Sequence, residues 1–350
     1  MLELEITPAC TRELPETRVP VPYPAPSPDR NPMAEFYLSG LSDKDKPWDY
    51  HRGLADQVRD LYRGSEFDHY VDRIAICAKL LEFALSSDDS GEMRFRLQAA
   101  RFCRVPRCPV CQWRRSLMWK ARFFKALPKI SADYPTARWI FLTLTIRNCE
   151  ISDLRDTLTL MNKAWKRLSV RKIFPALGWV KSFEVTRNKE TGMAHPHFHV
   201  LMMVPAGYFA RGYINQQEWT QLWRDCLRAD YDPVVDVRAV KAKSAKAGQA
   251  DPGVGLTVAI KETLKYTVKG EELIADASWL IELTHQLYKT KAIALGGVLK
   301  NYLSEAEPDN EDLIHADQQD NGEVAPDDPR WWFSWREMVG RYMGNPKEDS

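Results

Sequence analysis

The chain has 350 residues, 49 Lys and Arg against 48 Asp and Glu for a net charge of +1, and 44% apolar residues. That is enough to build a proper core over roughly two domains, or one domain with sizeable additions. No run of about 18 apolar residues exists, which excludes a membrane-spanning helix, and the opening MLELEITPACTRELPE lacks the apolar centre of a secretory signal.

The near-zero total hides a strong local asymmetry. Eleven Lys and Arg and no acid fall between Arg94 and Lys129, while ten acids and no Lys or Arg fall between Glu305 and Asp328. Such separation points toward a polyanionic partner more than the overall balance does. The seven cysteines are an odd number, and the cytoplasm is the expected location, so a disulfide framework is not expected.

Residues 1–35 are proline-rich (VPVPYPAPSPDRNP) and are expected to be extended and disordered. From about 48 to 86 the apolar spacing is helical, as in HYVDRIAICAKLLEFAL. The basic cysteine segment follows and runs into a predicted helix, CQWRRSLMWKARFFKAL, that Pro128 should end. WIFLTLTI (139–146) reads as a buried strand. Ser152 is expected to cap a helix that carries Leu154, Leu158, Met161, Trp165 and Leu168 on one face. GWVKSFEVTR and HFHVLMMV read as two strands joined by the polar connection NKETGMAHP. A helix near 216–228, a strand in PVVDVRAV, a Lys/Gly/Ala-rich loop (241–255) and a helix LTVAIKETLKYTVK complete the pattern. The order predicts an α+β fold with a mostly antiparallel central sheet and helices on one side. Residues 309–329 read as an acidic linker and WWFSWREMVGRYM as a small docking helix.

Three of the seven histidines fall within His195-Pro196-His197-Phe198-His199, too dense a cluster for chance. Strand alternation sends His197 and His199 to one face and buries Phe198 behind them. Glu184 on the neighbouring strand is placed to point into the same space. Two imidazoles and a carboxylate leave coordination positions open for substrate, as a catalytic divalent site requires. HPHFHVL also fits the alternating signature of the histidine-triad nucleotide hydrolases, which use a histidine nucleophile and no metal. Within KETLKYTVK, helical spacing makes Glu262 and Tyr266 neighbours, with Lys265 and Lys269 as an adjacent basic stripe. A phenol with a pKa near 10 needs nearby cations to become a useful nucleophile. Cys103, Cys108 and Cys111 have the spacing of a zinc knuckle and lack a fourth ligand. Arg101, Arg104, Arg107, Arg114 and Arg115 surround them with Trp113 and Trp119 interleaved, a set suited to phosphates and unpaired bases.

FLTLTIRN (141–148), HPHFHVL (195–201) and KETLKYTVK (261–269), in that order, resemble the three motifs of the HUH endonucleases. More closely they resemble the rolling-circle plasmid replication initiators of the Rep_1 type, which carry an upstream cysteine segment similar to FCRVPRCPVCQWRR (102–115). The similarity spans about residues 70 to 305. It implies an HUH-type nuclease domain (131–305) with flanking helices behind a zinc-binding, DNA-contacting module (36–130), followed by an acidic linker (306–330) and an aromatic segment (331–350). It further implies that His197, His199 and Glu184 hold Mn²⁺ or Mg²⁺, and that Tyr266 attacks the scissile phosphate of plasmid origin DNA. Glu262 would activate water for the closing hydrolysis. Cys77 becomes the best fourth zinc ligand, with His69 as runner-up. The sequence holds no Walker-type phosphate loop, so a host helicase and a host polymerase are the implied partners, in a bacterial cytoplasm. The role of His195 stays open between ligand, DNA contact and spacer. Competing readings are a histidine-triad hydrolase, a zinc-containing DNA-binding regulator without catalysis, and a single-tyrosine transposase.

Overall fold

Two periodicities build the molecule: alternation of apolar residues in the strands, and three-to-four spacing in the helices packed on them. The computed structural model describes residues 36–87, 91–240, 253–265, 267–303, 309–316 and 324–346, all within the unit Glu35–Ser350. The proline-rich segment 1–35 and Tyr266 lie outside the described residues.

In chain order the elements begin with β1 (Phe36–Tyr37), the short α1 (Leu38–Leu41), α2 (Pro47–Tyr62), α3 (Val71–Ala75), β2 (Leu80–Ser87), β3 (Met93–Ala100) and the long α4 (Pro109–Asp133). There follow β4 (Arg138–Thr145), α5 (Leu154–Ser169), β5 (Gly178–Arg187), β6 (Ala194–Val204), α6 (Tyr208–Arg211), α7 (Gln216–Leu227), β7 (Val235–Ala239) and α8 (Gly253–Thr263). The last are α9 (Gly270–Leu273), α10 (Ala277–Gln286), β8 (Ile293–Gly297), α11 (Asn310–Ile314), β9 (Arg330–Arg336) and β10 (Arg341–Pro346).

The sheet that carries the histidines has the order β7-β4-β6-β5-β8, with every neighbouring pair antiparallel. Nearly all of its middle strand, β6, is buried, so it needs cover on both faces. Phe198, Val200, Met202 and Val204 pack with Leu158, Met161 and Trp165 of α5 and with Trp219 and Trp223 of α7. Leu201 and Met203 pack the other way, with Phe123 of α4 and Ile260 of α8. Helices therefore lie on both sides of the sheet, not on one as expected. The five apolar residues of α5 are all buried as their spacing predicts, but Ser152 sits in a 3₁₀ turn and Asp153 takes the cap position.

A second antiparallel sheet was not foreseen, with the order β1-β10-β9-β2-β3. The stretch LLEFALSS, expected within a helical region, forms β2, because Leu81 and Phe83 alternate into the core and pair with Phe333 and Trp331 of β9. The C-terminal aromatic segment is likewise a pair of strands and not a docking helix. Phe333, Trp335 and Tyr342 are buried, and Gly340, at φ +67°, supplies the turn between the strands. Pro128 does not end α4, which continues to Asp133; Ile130 is buried with Phe123 in the core beside β4, and that packing outweighs the backbone hydrogen bond a proline forfeits. Part of the expected acidic linker is the helix α11, whose Leu313 and Ile314 are buried.

The helix expected to run through Lys269 stops at Thr263. The carbonyls of Thr263 and Leu264 accept hydrogen bonds from the hydroxyls of Ser182 and Ser116. A continuing helix would have used those carbonyls itself. The expected helical pairing of Glu262 with Tyr266 involves a residue outside the described ones. Among the described residues no helix is long and apolar enough to cross a membrane.

Candidate active site

Antiparallel register sets the first cluster. Glu184 of β5 stands directly opposite His197 of β6, and His199 lies one pleat further on the same face. Glu184 Oε2 is 3.0 Å from His197 Nε2 and 3.0 Å from His199 Nε2, and the two nitrogens are 3.1 Å apart. All three side chains are buried. Donor atoms held about 2.1 Å from a common divalent ion at right angles stand about 3.0 Å apart, so this set fits a metal. His199 is oriented from behind: its Nδ1 lies 3.3 Å from Thr143 Oγ1, and its ring stacks on Phe141 at 5.4 Å. A partner on Nδ1 fixes the ring and leaves Nε2 to face the cluster. His195 is not one of the three; its Nδ1 is 2.6 Å from Asn148 Oδ1.

Lys265 closes the cluster, with Nζ 2.7 Å from Glu184 Oε2 and 2.6 Å from Glu262 Oε1. Glu262 Oε1 is also 3.9 Å from His199 Nε2 and remains partly exposed. Burial opposes ionisation of Glu184, but hydrogen bonds from His197, His199 and Lys265 outweigh it and hold the carboxyl well below its ordinary range. Burial also lowers His199, more than Glu184 raises it, and so favours the neutral imidazole that a metal needs. Lys265 is pushed down by burial and pulled above its ordinary value by Glu184 and Glu262, so its ammonium stays charged. Thr143, Phe141, Asn148 and this use of Lys265 were missed from the sequence. The signal for Thr143 was available in FLTLTI, which pairs with the histidine strand so that Thr143 faces His199.

The second cluster gathers Cys77, Cys103, Cys108 and Cys111, all buried. Sulfur separations are 3.6 Å for Cys77–Cys111, 3.6 Å for Cys103–Cys111 and 3.7 Å for Cys77–Cys108. Thiolates bound tetrahedrally at about 2.3 Å would stand about 3.8 Å apart. Backbone amides of Cys103, Arg104 and Val105 point at three of the sulfurs, and Arg104 takes φ +57° to make that turn. Cys77, from the turn after α3, completes the set, and His69 does not belong to it.

Comparison with known proteins gives a single direction. The model of the Rep_1 family, described as replication protein, matches residues 94–343. The chain belongs to the Rep_1 family of replication proteins. It is similar to a "Protein rep" of Streptococcus pneumoniae serotype 2, with 32% identity over 292 residues that cover 81% of this chain and 87% of the relative. A "Protein rep" of Bacillus amyloliquefaciens is 31% identical over 79% of this chain and 84% of its own length. One of Lactiplantibacillus plantarum is 33% identical over 72% and 84%. No solved structure matches the chain. The Rep_1 resemblance drawn from four ordered motifs is borne out, and the matched region reaches beyond residue 305 into β9 and β10.

In this Rep_1 chain the basic segment does not present one continuous face. Arg104 is exposed and Arg115 half-buried. Arg114 is fully buried, donating to the carbonyls of Leu313 and Ile314 of α11. Trp113 is buried against His51 and Trp48. Their reading as a surface for phosphates and stacked bases gives way to a core role, because both are packed on every side. Arg107 is buried and donates to Thr267 Oγ1 at 3.3 Å. The basic run is also partly answered from within, since Arg122 pairs with Asp312 of the acidic stretch at 2.8 Å. Lys269 is exposed and caps α9, away from any helical stripe with Lys265. A cleft of about 270 Å³ lined by Tyr50, His51, Gln112, Glu184, Lys265 and Lys269 opens beside the histidine cluster.

Proposed function

We propose that this chain starts rolling-circle replication of a plasmid by nicking one strand at the double-strand origin. The buried Glu184–His197–His199 cluster, open toward a cleft, is the observation that carries the reading. Those three residues would hold a divalent ion, Mn²⁺ or Mg²⁺, which when bound draws charge from a phosphate oxygen. The nucleophile, by its position in the family's third motif, is Tyr266. Support comes from its neighbours: Lys265 sits on Glu184, and the Thr267 carbonyl accepts from the Val185 amide one residue beyond Glu184.

In the proposed step the Tyr266 phenol gives up its proton and its oxygen bonds to phosphorus. The bond from phosphorus to the 3′ oxygen breaks, and the proton ends on that oxygen. A 5′-phosphotyrosine and a free 3′-OH result, the latter a start point for a host polymerase. Lys265 keeps a positive charge beside the reacting atoms. Glu262, partly exposed at the rim, is suited to take a proton from water when the phosphotyrosine is later hydrolysed. Origin DNA, single-stranded or as a hairpin, is the substrate, and a host helicase supplies unwinding. Cys77, Cys103, Cys108 and Cys111 would hold Zn²⁺ in a closed structural site.

Supercoiled plasmid with the protein's own origin, incubated with Mn²⁺, is expected to relax and to carry a covalent adduct. Tyr266→Phe should abolish both; undiminished nicking by that variant would remove Tyr266 from the role. Glu262→Gln should keep the first cut and slow release of the adduct at least about a hundredfold, within the about 10²–10⁴-fold range of general-base effects. For the cysteine site, metal analysis of the purified protein should find one zinc per chain, and Cys77→Ser should lose it along with several degrees of Tm. A zinc-free chain with an unchanged melting curve would show the thiols to be a plain core cluster.

A further inference from the structure

A second cleft, also of about 270 Å³, runs between the first half of α4 and residues 287–293, and meets the first at Gln112 and Lys265. Arg107, Arg115, Lys265, Lys289 and Lys291 line it, and none of its lining residues is acidic. Arg107 is only 7% exposed, yet among the described residues its guanidinium has one hydrogen bond, to Thr267, and no carboxylate. Its Nε, the Gln112 Nε2 and the Arg115 Nε are all buried without a partner. Burial brings Arg107 down to about 10, which leaves it charged at neutral pH. A buried cation without a counter-charge is unfavourable to a fold unless a partner answers it. The two unanswered donors beside it, Gln112 Nε2 and Arg115 Nε, add to that cost. A folded protein that keeps such a set in a cleft is built to receive an anion there.

We propose that this cleft is a phosphodiester subsite, in which Arg107, Gln112 and Arg115 bind a backbone phosphate of a single strand while exposed Lys289 and Lys291 hold its approach. The chain itself links the subsite to the nicking centre. Thr267, bonded to Arg107, also donates to Gln112 Oε1 at 3.4 Å, and Lys265 lines both clefts. Arg107 lies between Cys103 and Cys108, so the cysteine turn sets the arginine's position. The inference rests on the nicking reading for the source of the phosphate, a strand rather than a free ion.

The test is equilibrium binding of fluorescein-labelled (dT)₁₂ by the full chain, without added divalent metal, over a series of salt concentrations. Lys289→Gln/Lys291→Gln should weaken binding and lower the slope of log K against log salt by about 1.4, at about 0.7 for each single-strand phosphate left without its lysine. The charge-matched Lys166→Gln/Lys172→Gln, at exposed lysines outside the cleft, should leave the slope at the wild-type value. Arg107→Met, with its melting curve measured alongside, should weaken (dT)₁₂ further. An unchanged slope in the Lys289/Lys291 variant overturns the subsite. So does calorimetric binding of inorganic phosphate that leaves (dT)₁₂ affinity indifferent to these variants, because the cleft is then a free-anion site. Wild-type protein that cannot nick but shows the slope change would overturn the nicking reading alone, and normal nicking with no slope change would overturn the subsite alone.

Discussion

Single buried polar residues do most of the chemical work, and each is answered in a different way. Glu184 stays ionised although buried, because His197, His199 and Lys265 all bond to it. Lys265 in turn spans Glu184 and Glu262, so the charge beside position 266 is held by two carboxylates and does not sweep through solvent. His51 is answered by packing: its ring stacks on Trp113 at 4.7 Å, and burial pushes it down to about 4, with Glu271 opposing. Its folded-state value lies below the ordinary 6.5, so protonation favours the unfolded chain. The stability it contributes is complete above pH 6.5 and is lost as pH falls from 6.5 to about 4, by up to about 3 kcal/mol at 1.36 kcal/mol per unit. His51→Phe keeps an aromatic ring on Trp113 and cannot protonate, so its Tm should fall less than the wild type's between pH 7 and pH 4.5. Equal losses would show that His51 is not a source of the acid sensitivity. The cluster of Glu184, His197 and His199 was legible at this scale because alternation along a strand and pairing across a two-strand connection bring the three together without further information. Thr143 and Phe141 were not, since what they orient is decided by a strand pairing and not by their own residue type.

Secondary-structure elements were read well where the core lies on one regular stripe, as in α5, and badly where two elements must meet before either has a buried face. LLEFAL carries both a helical and an alternating pattern, and the partners that choose the strand are β3 and β9. The same holds for the end of α8, which is cut short by hydroxyls from β5 and α4. α11 is a further case: five residues that could not hold a helix alone are fixed by Arg114, whose guanidinium binds the last two carbonyls and lies over the rings of Trp48 and Trp113. Arg114→Met keeps the volume and removes the donors, leaving two buried carbonyls unanswered. It should cost about 2–6 kcal/mol, at about 1–3 kcal/mol for each of the two unsatisfied carbonyls, read as a lower urea midpoint. Amides of residues 310–314 should exchange faster in the variant. A variant with wild-type exchange there would mean that α11 is held by Leu313 and Ile314 alone.

For the whole molecule, a net charge of +1 describes no part of the surface. The basic run is divided among a cysteine turn, a core arginine, an ion pair to α11 and the second cleft. The histidine sheet could be drawn from local pattern because four of its strands lie between residues 138 and 239. The other sheet could not, because it joins strands from both ends of the described chain, and no window of sequence contains both partners. The family's matched region, residues 94–343, takes in most of β3, all of β9 and the start of β10, while β1 and β2 precede it.

That same sheet imposes a timetable on synthesis. β9 lies between β10 and β2, and Trp335 on it donates to Asp56 of α2. While the chain is still on the ribosome, β2 has β3 on one side and nothing on the other, and Asp56 of α2 lacks the indole that donates to it. Strand edges left in this state attract other strands and chaperones. Translation of residues 330–346 is therefore the event that seals the fold, and a ribosome that stops before them releases a sticky intermediate and not a smaller working protein.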